Sequence, residues 1–442
     1  MTKLRAIATV AAVLSFMVGS AISLAQSSAQ SDKGHGYGPG TDKTLYVWAG
    51  DQAHIAPDFL AVIDFDQQSS RYGQVIKTVP LPPPGNVGNE AHHCHLNSTK
   101  TILGCGGLLS LLKGQNGIFF FDVSDARNPK FLFSAKAVLS SITDDFMPTE
   151  DGGFLVTQMG SADGGAPGRV AEFDGQLHYV ANHFGTVSLF NEWPTKPPLD
   201  GFNPHGISAR PDLNLMMTAD FLLPSSSLIG SEGVVLRGSV RIWDFRKRKI
   251  IKTVQLESPN GGPASGTMDV KMLPNDPHGY GYTAGMFDGH IYLIDPIKGT
   301  GTSAFDLSTV YPQVSTPVIG GMGQIMATPQ CGDRLIIGTF MAGQIVMLDA
   351  TDRSALKQLS VVSFGENAGP HNIVLSDDDN RLVATDYFLN EDSGGLIHYE
   401  GDHLVHVLKV THDTLTEDKR FNLDFNTAFK TGPARPHGIA MK

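Results

Sequence analysis

The chain is poor in charge, in cysteine and in basic runs. Of its 442 residues only 17% are charged, and 44 acidic side chains outnumber 33 basic ones to leave a formal charge of -11. No basic stripe is present to neutralise a phosphate backbone, so nucleic acid is excluded as a partner. Three cysteines allow one disulfide at most and leave at least one thiol over. After the first 25 residues no apolar run reaches the ~20 residues that span a bilayer. Gly-x-x-x-x-Gly-Lys-Ser/Thr, Gly-x-Ser-x-Gly, His-Glu-x-x-His and Cys-x-x-Cys are all missing, which removes the common signatures of phosphate loops, serine hydrolases, zinc proteases and dithiol redox sites.

Glycine is abundant instead: 49 of 442 residues, about 11%, against a usual ~7%. Low charge with many glycines predicts a turn-rich, all-β chain with a large core. The amino terminus reads as an export signal, with Lys3 and Arg5 ahead of an apolar stretch from Ala6 to Ala21 and a small-x-small site at Ser23, Leu24 and Ala25. Residues 1–25 are therefore expected to be a signal peptide and 26–42 a flexible leader. A periplasmic or secreted protein is expected to follow. In such an oxidising compartment Cys94 and Cys105 either pair across neighbouring strands or remain two buried thiols, with Cys331 as the third cysteine.

A strand pattern of four or so mostly apolar residues closed by an acid recurs seven times. Its copies are Phe59–Asp64, Ile118–Asp122, Arg169–Asp174, Val240–Asp244, His290–Asp295, Gln344–Asp349 and Leu396–Glu400. From Asp64 to Glu400 the six intervals average 56 residues. A period of this order holding several short strands predicts a β-propeller. A second pattern marks an innermost strand ahead of most copies, with Pro-His-Gly at 204–206 and 436–438 and Pro-His-Asn at 370–372. His92 fits the same slot, because Cys94 and Leu96 then match Ile373 and Leu375 in the period-two alternation. The remaining slots fall near Asp144 and Asp145, Met268 and Asp269, and Gly323 and Gln324. The last inner strand has no strands after it, while residues 44–80 hold three strands with no inner strand before them. The prediction is one seven-bladed propeller over residues 43–442, closed by the C-terminal strand joining the N-terminal blade.

Equivalent positions on innermost strands converge in the central channel. His92, His205, His371 and His437 are therefore candidate ligands of one metal, with His93 as a possible addition. Copper leads, with iron or zinc as alternatives, since all accept neutral imidazole nitrogen. Asp220 and Asp386 each follow their histidine by 15 residues and are expected to accept the other imidazole N–H. The competing reading is that Pro-His-Gly is a tight-turn motif whose histidine makes a structural hydrogen bond. Met268, Met322 and Met326 lie near other inner strands and are read as core rather than as thioether ligands.

Several stretches carry a family resemblance. Pro57 to Ala61, Asp64, Ser70 to Ile76, Pro80 to Pro82 and His92-His93, with Gly238 to Asp244 and Lys249 to Leu256, resemble the selenium-binding protein and methanethiol oxidase family. The resemblance implies a seven-bladed, copper-dependent oxidase that converts a small thiol, methanethiol, with dioxygen to formaldehyde, hydrogen sulfide and hydrogen peroxide. Gly73 stands where that family carries a cysteine linked to selenium, so no selenium role is implied there. The segment Cys94 to Asn97 also departs from the family's cysteine-rich continuation. Two other functions suit the same scaffold: a four-histidine Fe(II) oxygenase, by analogy with carotenoid-cleaving propellers, and a non-catalytic binding module.

Overall fold

The computed structural model describes residues 40–180, 201–226, 234–310, 325–327, 332–339, 342–365, 368–386 and 401–442. The expected signal peptide, most of the leader, Met322, the Gly323 and Gln324 slot, Cys331 and the repeat copy at 396–400 lie outside the described residues.

Seven antiparallel sheets make up the seven-bladed propeller. Strands β1 (Thr44–Asp51), β2 (Phe59–Asp64) and β3 (Val75–Pro80) belong to the first blade. The second holds β4 (Ala91–Leu96), β5 (Ile102–Gly107), β6 (Ile118–Asp122) and β7 (Lys130–Ala135), and the third β8 (Ser140–Pro148), β9 (Phe154–Ser161) and β10 (Arg169–Phe173). The fourth is built from β11 (Pro204–Arg210), β12 (Leu215–Leu222), β13 (Leu236–Asp244) and β14 (Lys249–Gln255), the fifth from β15 (Thr267–Met272), β16 (Gly281–Gly285), β17 (His290–Asp295) and β18 (Thr300–Asp306). Blade six holds β19 (Ile325–Ala327), β20 (Arg334–Thr339), β21 (Gln344–Asp349) and β22 (Lys357–Ser363). Blade seven holds β23 (Pro370–Leu375), β24 (Arg381–Asp386), β25 (His406–Val410) and β26 (Leu415–Glu417). Finally β27 (Ala434–Met441) pairs with β1, with Val47 opposite Ile439 and Leu45 opposite Met441. The expected closure by the last strand is therefore present. Among the described residues no helix is long and apolar enough to cross a membrane.

The repeat has a physical basis. A middle strand of a blade has a neighbouring blade against each face, so both of its side-chain sets are buried and the sequence reads as a continuous apolar run. In β2, Leu60 and Val62 pack toward the second blade while Phe59, Ala61 and Ile63 pack toward the seventh. Each of the seven blade junctions has its own apolar cluster of this kind. The closing acid caps the turn that follows: Asp64, Asp122, Asp174, Asp295 and Asp349 each accept the backbone N–H two residues on, at 2.9–3.3 Å. In blade seven the third of the described strands is β25.

The inner strands carry the feature that matters for the site. Between Ala91 and Cys94 of β4 the pairing with β5 slips by one residue, and the same slip occurs in β8, β11, β15, β23 and β27. Such bulges bend a strand and re-aim its side chains. They fall at His92-His93, Asp144-Asp145, His205-Gly206, Met268-Asp269, His371 and His437. Glycine follows His205 and His437 because the next blade comes too close for a side chain. A Cβ at Gly206 would lie 2.3 Å from Asp269 Oδ1, and one at Gly438 the same distance from the His92 carbonyl.

Candidate metal centre

Five imidazoles and one carboxylate meet where these bulges converge. His92 and His93 come from β4, Asp144 from β8, His205 from β11, His371 from β23 and His437 from β27, and all six are buried. One nitrogen from each of His92, His93, His371 and His437 lies within 4.8 Å of the others. The Nε2 atoms of His93 and His371 face each other at 3.3 Å, and the rings of His92 and His437 stack at 4.4 Å. His93 is thus a full member of the group. His205 stands across the channel in a second group with His92 and Asp144, its Nε2 3.2 Å from Asp144 Oδ2. The sequence expectation placed His205 in the four-histidine set and His93 at its margin. The bulge reverses that order, since it breaks the alternation that would have turned His93 away.

Asp144 was not singled out from the sequence. Its oxygens lie 3.1 Å from His93 Nδ1 and 3.5 Å from His92 Nε2 as well as against His205. Burial pushes this carboxyl up, but the neighbouring His205 and His92 imidazoles and hydrogen bonding from His92 and His93 hold it well below the usual carboxylate range. It is an anion that three imidazoles share. Asp145, next in the bulge, faces the opposite way to His95 and Lys271. Asp269 lies beside Lys271, and burial raises its carboxyl to about 7. The strand pattern placed Asp144, Asp145 and Asp269 at inner-strand slots equivalent to the histidines but gave them no role, because a polar pair there reads as an ordinary turn.

Asp220 and Asp386 do not hydrogen-bond the imidazoles of His205 and His371, the histidines they follow by 15 residues. Asp220 accepts from Arg241 Nε and Ser239 Oγ, both at 2.6 Å, and from the Asn203 backbone. Asp386 accepts the His403 backbone N–H and abuts Asp402. Both stand level with the proline before their histidine, as the register demands, but their side chains turn into their own blades. Threonines of the preceding blades support the histidine strands instead: Thr157 donates to the His205 carbonyl and Thr385 to that of His437. Met268 is buried with Ile142, Met159, Phe221 and Met286 beside the centre, and Cys94 and Cys105 form a disulfide.

Burial lowers the pKa of His93, His205, His371 and His437, and the crowding of imidazole on imidazole lowers them further. For His205 the value falls to about 3 despite Asp144. All are neutral at pH 7, so ring lone pairs are available. The donor set fits a transition metal of the copper, zinc or iron kind. Four nitrogens at about 2.0–2.1 Å from one such ion would stand about 3 to 4 Å apart, so a group whose donors spread over as much as 4.8 Å would close by up to about 1–2 Å around it. Among the described residues His205 Nδ1 has no hydrogen-bond partner, while the Asp144 oxygens lie 3.1–3.5 Å from three imidazole nitrogens, an arrangement that suits a cation.

A pH prediction arises here. An unfolded histidine takes up a proton near 6.5, while folded His205 resists protonation down to about 3. The unfolded state then binds more protons, and acidification through that window costs stability. In metal-free protein the stability of wild type relative to His205→Gln is expected to fall by up to about 1.4 kcal/mol per pH unit below 6.5. Urea unfolding of both proteins from pH 7 to 4 checks this, and a constant difference would contradict it.

Fold and centre together define a seven-bladed β-propeller with a buried polyhistidine site in its channel. No family model matches the chain. It is 25% identical over 278 residues to a methanethiol oxidase of a Hyphomicrobium species, covering 58% of this chain and 56% of that one. It is also 25% identical over 235 residues to the human methanethiol oxidase, covering 46% and 44%. The chain spans about half the length of the curated relatives it matches. Among solved structures, a hypothetical selenium-binding protein from Sulfolobus tokodaii superposes with a TM-score of 0.73 at 16% identity, covering 92% of this chain and 94% of that one. That likeness supports the fold. The chain is a distant relative of the methanethiol oxidases and selenium-binding proteins.

Proposed function

We propose that this protein is an exported, copper-dependent oxidase of a small thiol such as methanethiol. The observation that carries the reading is the meeting of His92, His93, His371 and His437 on three adjacent inner strands, in a chain related to methanethiol oxidases. The Cys94–Cys105 disulfide supports an oxidising compartment.

The four imidazoles would hold the metal, and His205 with Asp144 would border it. Copper held there would supply soft Lewis-acid and redox chemistry suited to a thiolate and dioxygen. The overall conversion balances as methanethiol, dioxygen and water giving formaldehyde, hydrogen sulfide and hydrogen peroxide. The chain's own contributions are three. Burial keeps His93, His371 and His437 unprotonated. Asp144, an anion beside three rings, fixes their orientation and holds the imidazole protons it faces. The apolar group of Ile142, Met159, Phe221, Met268 and Met286, with Phe221 stacked edge-on to His205 at 5.2 Å, excludes water and offers a methyl-sized group an apolar contact.

The test is oxygen uptake by copper-loaded protein supplied with methanethiol. Uptake with hydrogen sulfide and hydrogen peroxide in equal amounts is expected. Protein that holds its copper yet consumes no oxygen with any alkyl thiol would overturn the proposal. Iron as the native metal would turn the assignment toward the oxygenase reading.

A further inference from the structure

We infer that a second divalent-cation site lies in the seventh blade, built by Asp386, Asp402 and His406 and sharing no donor with the histidine centre. Asp386 ends β24, His406 opens β25 one step across the ladder from Ala384, and Asp402 sits four residues before His406. One donor atom from each of the three lies within 4.8 Å of the other two.

The hydrogen bonds leave one oxygen of each carboxylate for the shared space. Asp386 Oδ2 accepts the His403 backbone N–H, and among the described residues its Oδ1, on a fully buried side chain, has no well-aligned donor and only the abutting Asp402 carboxyl beside the side chain. Asp402 Oδ1 accepts the Leu404 backbone N–H at 2.9 Å, which leaves Oδ2 toward His406 Nε2 at 3.0 Å. The His406 ring is held by stacking on Phe364 at 3.8 Å. Two carboxylates that abut inside a protein need either a proton or a cation between them. An imidazole beside them favours the cation, because two oxygens and one nitrogen make the mixed donor set that zinc, manganese and cobalt accept. Asp402 is partly exposed, with 27% of its side chain accessible, so an ion can enter and a water can complete its coordination. Bound there, it joins the end of β24 to the start of β25.

The experiment is titration of the full-length, tag-free, metal-stripped protein with zinc chloride, read by calorimetry and by zinc content after dialysis. Wild type is expected to retain one zinc ion more than Asp402→Asn or His406→Gln. A His371→Ala protein should lose a different ion, so that His371→Ala combined with Asp402→Asn loses both. Circular dichroism checks that each variant is folded. Equal zinc content in wild type and in folded Asp402→Asn and His406→Gln overturns the site, whatever happens at the histidine centre. Anomalous diffraction from zinc-soaked wild-type crystals needs no variant: a peak between Asp386, Asp402 and His406 supports the inference. Its absence at full occupancy of the histidine centre overturns it and leaves a proton shared by the two aspartates.

Discussion

His371→Ala and His437→Ala are each expected to strip most of the metal from the protein and abolish its thiol-dependent oxygen uptake, with circular dichroism still reporting an intact propeller. This is the outcome expected if four imidazoles serve one ion, since ligands to a single metal act as a unit and their losses do not add. His93→Ala should be as damaging, because its Nε2 stands 3.3 Å from that of His371. His205→Ala should cost less, as its nearest polar neighbour is Asp144 rather than the four-nitrogen group. Asp144→Asn keeps the shape but removes the anion, and a weakening of metal binding by about 10 to 100-fold is expected. If the histidines were only turn formers, each change would instead cost about 1 kcal/mol of stability, independently of the others. Elemental analysis with thermal unfolding of the same samples decides between the two patterns. Folded single variants with full metal content and full turnover would defeat the shared centre.

Deleting residues 436–442 is expected to collapse the ring. β27 is buried along its whole length, and the backbone of Lys442 exchanges hydrogen bonds with that of Thr44 at 2.7 and 2.9 Å. Burial of Ile439 and Met441 alone is worth about 3 to 6 kcal/mol, a large part of the roughly 5 to 15 kcal/mol that holds a typical domain folded. The deletion also exposes the inner edge of β1 and opens the apolar junctions on both sides of the first blade. Loss of the cooperative thermal transition, with aggregation, is the expected result. A truncated protein that melts like the intact one would show that the ring does not depend on this strand.

The architecture was legible because its causes are local and repeated. Middle strands packed on both faces give apolar runs, and the turn after each needs an acid at its start, so Asp64, Asp122 and Asp295 advertise one blade each. The closure was legible from strand accounting alone. The channel histidines showed through as a shared slot, yet their grouping did not. Alternation assigns one of two adjacent residues to each face, and the bulge at His92-His93 cancels that rule, so the sequence favoured His92 and undervalued its neighbour. Asp144 was hidden because it faces histidines from blades on either side, a relation set by ring geometry rather than by spacing. Asp220 and Asp386 were placed at the right level of their strands but given the wrong neighbours. Their burial against Arg241 and Asp402 depends on residues of the third strand and of a loop, which the 15-residue interval does not encode. In blade seven the third described strand is β25 (His406–Val410), and the expected repeat copy at 396–400 lies outside the described residues.

The closing strand also sets a clock on the proposed metal centre. Glu90 and Arg435, which pair beside the first closing contacts, are 345 residues apart in the chain. At ribosomal rates of about 5 to 20 residues per second, roughly 17 to 70 s separate the emergence of His92 and His93 from that of His437. Throughout that interval the early histidines have neither the ring that buries them nor the partner that completes their set. A nascent chain therefore passes its most exposed period without a formed metal pocket, and a message broken anywhere before codon 437 yields a product that lacks one. If the four imidazoles hold a metal as proposed, metal content would report whether the chain is complete through His437.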